Sequence, residues 1–108
     1  MTSTTYRKYR NVKTKLDGIT FDSKKEATSY AELRLLERAG IISSLELQPE
    51  IELYVNGVVI GKYRGDFRYQ SDGETILEDV KSKATKTPTY RLKKKILSTL
   101  GITITEVM

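Results

Sequence analysis

The chain has no cysteine and no histidine. The first absence removes a disulfide framework and any thiolate metal site, and the second removes imidazole ligands and histidine general bases. A metal would have to be held by oxygen, which suits hard ions such as Mg²⁺, Mn²⁺ or Ca²⁺ rather than zinc. Catalysis falls to carboxylate, lysine and water. Long apolar runs are missing too. No stretch approaches the roughly 20 residues of a membrane span, and the N-terminus lacks the apolar core of a signal peptide. The expectation is a soluble, cytoplasmic protein with no membrane partner.

What is present is one domain's worth of chain, 108 residues, with 19 Lys and Arg against 14 Asp and Glu and a net charge of +5. That length supports a single core. The charge alone is a mild pointer to a polyanion, but its distribution says more. Arg7, Lys8, Arg10, Lys13 and Lys15 precede the first acid, Asp17. A second basic run, Lys83, Lys86, Arg91, Lys93, Lys94 and Lys95, follows the triplet Asp79-Val80-Lys81. Residues 1–15 read as a basic, mobile arm and residues 16–108 as the folded domain.

Asp72-Gly73, between alternating apolar runs, signals a two-residue hairpin, because a type I′ turn needs positive φ at both central residues. Ser71 then pairs with Glu74. Counting back sets Phe67 against Glu78 and Asp66 against Asp79. Directly opposed side chains have Cβ atoms roughly 4.5–5.5 Å apart, so the two carboxylates repel unless a cation lies between them. Alternation puts Lys81 on the face of Asp79 and sends Glu78 and Val80 to the other face, where Glu78 is expected to pair with nearby bases. A slip of one residue would exchange the faces.

The remaining elements follow from period and punctuation. A first helix is predicted from Asp22 or Ser23 to Ala39, with Ala27, Tyr30, Ala31, Leu35 and Leu36 as its stripe and Gly40 as its stop. Asn56-Gly57 marks another hairpin, and a long middle strand containing Gly61 and Gly65 leads to Asp66. Thr87-Pro88 begins a second helix that ends near Leu100-Gly101 and buries Leu92, Ile96 and Leu100. Residues 102–107 alternate as a last strand. The fold class is a mixed α/β (α+β) core of helix, three-stranded antiparallel meander, helix and strand, its mixed sheet flanked by helices.

That order, with Asp66 on one strand and Asp79-Val80-Lys81 on the next, resembles the core of PD-(D/E)xK nucleases, the restriction-endonuclease-like fold. The segments Tyr9-Arg10-Asn11-Val12-Lys13, Asp17 to Ala27, Ala39 to Ile42, Leu47-Gln48-Pro49 and Glu78 to Lys81 are similar to a family of small phage-encoded endonucleases in that superfamily, which includes Holliday-junction resolvases. The resemblance implies that Asp66 and Asp79 bind Mg²⁺, with Mn²⁺ as a substitute, and that Lys81 positions or activates the attacking water. Glu26 matches a helix glutamate that many members add to the metal and catalytic set. Gly65 replaces the usual proline, and Asp79 stands where glutamate is common. The implied activity is Mg²⁺-dependent endonucleolytic cleavage of DNA, with branched DNA as the expected substrate, leaving 5′-phosphate ends; cutting two strands together would require a homodimer.

Plainer readings stand beside these. Ser23-Lys24-Lys25-Glu26 fits a capping box, in which Glu26 serves a backbone amide. The run Arg91, Lys94 and Lys95 is either a solvated helix face or a phosphate grip, and Arg64 and Arg68 either hold phosphates or balance local acids. Arg7, Lys8, Arg10 and Lys13, interleaved with Tyr6 and Tyr9, and Lys83 and Lys86 complete the candidate nucleic-acid contacts. The alternatives to an enzyme are a non-catalytic nucleic-acid-binding protein on the same fold, or a basic adaptor for RNA or another phage protein.

Overall fold

The computed structural model describes residues 13–81 and 86–107. Thr14 and Lys15, assigned from sequence to the arm, instead open a hairpin: β1 (Thr14–Leu16) pairs antiparallel with β2 (Ile19–Phe21). Its turn is Asp17-Gly18, with φ of 53° and 76°, the same dipeptide chemistry that the other two hairpins use. Helix α1 (Lys24–Arg38) starts where Ser23 Oγ accepts the Glu26 N–H at 3.1 Å, and it ends at Ala39 ahead of Gly40, whose φ is 77°. The buried stripe differs from the expected one. Leu33 continues the spacing set by Ala27 and Tyr30, whereas Leu35, 64 % exposed, and Leu36 fall off it and face outward.

The chain then builds a four-stranded sheet in the order β3-β6-β7-β8, from β3 (Ser43–Leu47), β6 (Phe67–Ser71), β7 (Glu74–Val80) and β8 (Ile104–Val107). β3, β6 and β7 run antiparallel, and β8 joins β7 in parallel, so the sheet is mixed. The β6–β7 register is the one the Asp72-Gly73 turn predicted, from Ser71↔Glu74 to Phe67↔Glu78. β3 had no assignment from sequence.

The predicted long middle strand is broken. Its first part, β5 (Val58–Arg64), pairs with β4 (Glu50–Val55) in a separate two-stranded ladder closed by Asn56-Gly57. Its second part is β6. The break lies at Gly65-Asp66, where Gly65 N donates to Pro49 O (3.0 Å) and Gln48 N donates to Asp66 O (2.9 Å), so both chains cross between ladders together. A Cβ on Gly65 would come within 2.7 Å of Leu77 Cδ1 and 3.5 Å of Asp79 Oδ1. Any larger residue there would have to displace the Leu77 side chain, and the predicted meander is replaced by two ladders.

Helix α2 (Pro88–Thr99) begins as expected, with Thr87 capping the Tyr90 N–H. It buries Tyr90 and Leu97 and half-buries Ile96, while Leu92, 59 % exposed, and Leu100 turn outward, contrary to the expected stripe. Tyr90 displaces Leu92 because its hydroxyl reaches Glu106 on β8 at 2.6 Å, which fixes the rotation of the helix. Two apolar clusters result. Phe21, Ala27, Tyr30, Leu33, Ile42 and Phe67 pack with Val80, whereas Leu53, Tyr63, Leu77, Tyr90, Leu97 and Ile104 form the other cluster. Leu77 and Val80 thus serve different cores, as strand alternation requires. No helix among the described residues is long and apolar enough to cross a membrane.

Candidate active site

Asp66 sits at the break between ladders and Asp79 near the end of β7, and each carboxylate holds the other's strand. Asp79 Oδ1 accepts from Asp66 N at 2.8 Å, and Asp66 Oδ2 accepts from Val80 N at 2.7 Å. These reciprocal bonds close the end of the β6–β7 ladder. They occupy one oxygen of each carboxylate. The other oxygen of Asp79, Oδ2, is buried with no hydrogen-bond partner among the described residues; Lys81 Nζ stands 3.8 Å away. Asp79 is only 1 % exposed. Lys81 in turn lies over the Tyr90 ring, 4.2 Å from its centroid, an arrangement that favours a held ammonium.

Burial makes the charged forms costly here. It pushes the Asp79 carboxyl up to about 6, against the pull of Lys81 and the Asp66 N–H and with some help from Glu106. Burial also raises Asp66, opposed by the Val80 N–H and Lys81. Glu26, buried in the first turn of α1, is pushed up to about 7, first by burial and then by the negative charges of Asp66 and Asp22, with Arg64 opposing. Glu26 therefore shares the field of the acid pair. Ser23 caps its backbone, yet among the described residues its own carboxylate does not bond the Ser23 N–H, so the reciprocal half of a capping box is absent.

Several expected contacts are spoken for. Arg68 forms a bidentate pair with Glu46, at 2.9 Å for both bonds, directly across β3 and β6. Lys86 and Lys94 both bind Glu106, at 2.9 and 3.2 Å. Arg64 Nη2 donates to Gln48 Oε1 at 2.6 Å. Lys13, Arg91 and Lys95 are exposed, while Arg7, Lys8, Arg10 and Lys83 lie outside the described residues. Glu78 faces away from Asp79 as predicted, but it accepts from the Tyr69 hydroxyl at 2.6 Å instead of pairing with a base.

With this geometry in place, the chain can be compared with known proteins. Residues 6–100 match the sequence model of a family described as "Protein of unknown function (DUF1064)". The chain belongs to the DUF1064 family. No curated protein and no solved structure matches it. The matched range of this DUF1064 chain contains Glu26, Asp66, Asp79, Lys81 and all of α2, and it stops short of Glu106.

Sequence reasoning missed three participants in the DUF1064 site: Asp22, Tyr90 and Glu106. Glu106 was accessible in principle, since Ile104 and Glu106 alternate like Leu77 and Asp79. No turn sets the register of a parallel strand, however, so the pairing Asp79↔Glu106 could not be counted out. Among the described residues no three acidic side chains gather closely enough to hold a metal ion. Asp66 and Asp79 still fit a hard cation in their chemistry. They form an all-oxygen pair, and Asp79 Oδ2 is a buried acceptor without a donor.

Proposed function

We propose that this protein is a metal-dependent phosphodiester hydrolase, a DNA endonuclease of the PD-(D/E)xK kind with a restriction-endonuclease-like core. The observation that carries this reading is Asp79 Oδ2, buried without a hydrogen-bond donor among the described residues, beside Asp66 and with Lys81 Nζ at 3.8 Å. A native fold retains a buried carboxylate oxygen without a hydrogen bond only at a cost, and such costs concentrate at functional sites.

Asp66 and Asp79 would hold Mg²⁺, or Mn²⁺ in its place, which when bound neutralises charge on the phosphate and lowers the pKa of water. Lys81, braced by Tyr90, directs its positive charge to where the attacking water and a phosphate oxygen meet. Glu26, with a proton affinity near neutrality, takes up a proton beside the acid pair. The reciprocal bonds between Asp66 and Asp79 fix both side chains without using all their oxygens, so little reorganisation accompanies substrate binding. Branched DNA is the proposed substrate. One chain contributes one site, and coordinated cutting of two strands calls for two copies.

The test incubates purified protein with labelled junction, flap, duplex and single-stranded DNA, in Mg²⁺ and in EDTA. Cleavage should require the metal and disappear in Asp66→Ala, Asp79→Ala and Lys81→Ala, with DNA binding retained in the two aspartate variants. Full cleavage by Asp79→Ala would sink the proposal. Metal-independent binding without products from any substrate would favour the non-catalytic binding protein.

A further inference from the structure

Beside Lys81, on the α2 side of the sheet, an open cleft of about 340 Å³ is lined by Arg64, Lys81, Lys93, Thr87, Thr89 and Tyr63, together with Tyr90. Three bases and four hydroxyl-bearing residues line it, the Tyr90 hydroxyl already being given to Glu106, and no carboxylate lines it among the described residues. We infer that this cleft seats a phosphate of the nucleic-acid strand adjacent to the one at the acid pair. The inference rests on the hydrolase reading for its ligand and on the cleft's own chemistry for its place.

The bases of α2 divide into two groups. Lys86 and Lys94 are drawn to Glu106, so their charge is offset inside the protein. Lys93 is anchored differently. Its Nζ donates to the Lys62 carbonyl at 2.9 Å, a contact that holds the side chain in place and leaves its full charge and two of its three donors for a ligand. Arg64 is likewise held by a neutral partner, Gln48, with donors to spare. Lys81 is held by an aromatic face and reaches toward Asp79, which joins the cleft to the candidate active site.

Two further features favour an anion. The cleft includes Thr87 and Thr89 at the start of α2, a 12-residue helix with no acid in its first turn, so the positive end of the helix is not offset there. Tyr63, 5 % exposed and part of the lining, has a buried hydroxyl with no hydrogen-bond partner among the described residues. Phosphate oxygens accept hydrogen bonds from ammonium, guanidinium and hydroxyl donors, and Lys81, Lys93, Arg64 and the threonines Thr87 and Thr89 bring these groups together here.

The experiment measures anisotropy of a short fluorescein-labelled single-stranded DNA across a salt series in EDTA, where no cleavage occurs. Arg64→Gln with Lys93→Gln should weaken binding and reduce the slope of log K against log salt by about one to two, while Lys94→Gln leaves the slope unchanged. Lys93→Gln alone should remove about one, and Lys93→Arg should restore it; thermal unfolding confirms that each variant is folded. Inorganic phosphate as competitor should displace the DNA from wild type at lower concentration than from the double variant. An unchanged slope in the folded double variant, or a loss on Lys94→Gln as large as on Lys93→Gln, overturns the site. Binding that depends on Arg64 and Lys93 in a chain that cuts nothing in Mg²⁺ would sustain the cleft and overturn only the hydrolase reading.

Discussion

Asp79 and Glu106 are paired neighbours on parallel strands, and the protein treats them in opposite ways. Glu106 receives the Tyr90 hydroxyl, Lys86 and Lys94, and these donors hold its carboxyl down at about 2. Asp79 receives one backbone N–H and a lysine at 3.8 Å, and burial pushes it up to about 6. The same end of the sheet therefore carries a satisfied carboxylate on β8 and one without a full set of donors on β7, side by side. The first ties β8 to α2. The second is left with unused acceptor capacity, which is what a ligand site needs and a structural site avoids.

If that division is real, one substitution at each position should separate stability from activity. Asp79→Asn keeps the acceptor for the Asp66 N–H and removes the charge, so DNA cleavage should fall about 10³-fold or more. The folded protein, measured in EDTA, should gain about 1–2 kcal/mol at pH 7. Its pH dependence has a defined sign. A carboxyl raised from 3.8 to about 6 contributes stability below the unfolded value and loses it as pH rises through the folded one. Denaturant titrations in EDTA should show wild-type stability declining between about pH 4 and 6 more steeply than that of Asp79→Asn. Equal slopes would mean that Asp79 is better solvated than its burial implies.

Glu106→Gln should leave the chemistry aside and shift stability the other way. It leaves two ammonium groups and a buried phenol without their anion, so unfolding should cost about 2 kcal/mol less at pH 7. Because the Glu106 carboxyl is lowered from 4.5 to about 2, its contribution is present above the unfolded value and lost as pH falls through the folded one. The variant should therefore match wild type most closely at about pH 2 and diverge from it by pH 5, read from urea midpoints. A neutral result at every pH would reduce the Glu106 cluster to a solvated ion pair.

Much of this frame was legible because turn chemistry is local. Asp72-Gly73 and Asn56-Gly57 set the registers of their hairpins, and the β6–β7 register, which runs as far as Phe67↔Glu78, brings Asp66 within hydrogen-bond reach of the Asp79 carboxylate. Thr87-Pro88 and Gly40 bounded the helices for the same reason. What escaped depends on tertiary partners. The place for glycine at 65 is seen only against the side chain of Leu77, and the rotation of α2 depends on a bond from Tyr90 to a residue on β8. The neutralised state of Lys86 and Lys94 follows from that same strand. Spacing within the basic run could not distinguish them from Lys93.

Glu26 tests the edge of the comparison with the smallest expected change. As a capping residue it would stabilise α1, and Glu26→Gln would preserve most of that role; as a member of the acid cluster it costs stability when ionised, since its carboxyl is raised from 4.5 to about 7. The two roles predict different pH behaviour. Clustering with Asp66 and Asp22 makes Glu26→Gln equal to wild type below about pH 4.5 and more stable by up to about 1 kcal/mol at pH 8 in EDTA, the gain opening between about pH 4.5 and 7. Capping by the carboxylate would instead make the variant slightly weaker at pH 8. The backbone cap belongs to Ser23, so Ser23→Ala should cost about 1 kcal/mol at either pH. A pH-dependent gain in one variant beside a pH-independent loss in the other would place Glu26 with Asp79 as a carboxylate kept for chemistry, in contrast to Glu106, which is kept for the fold.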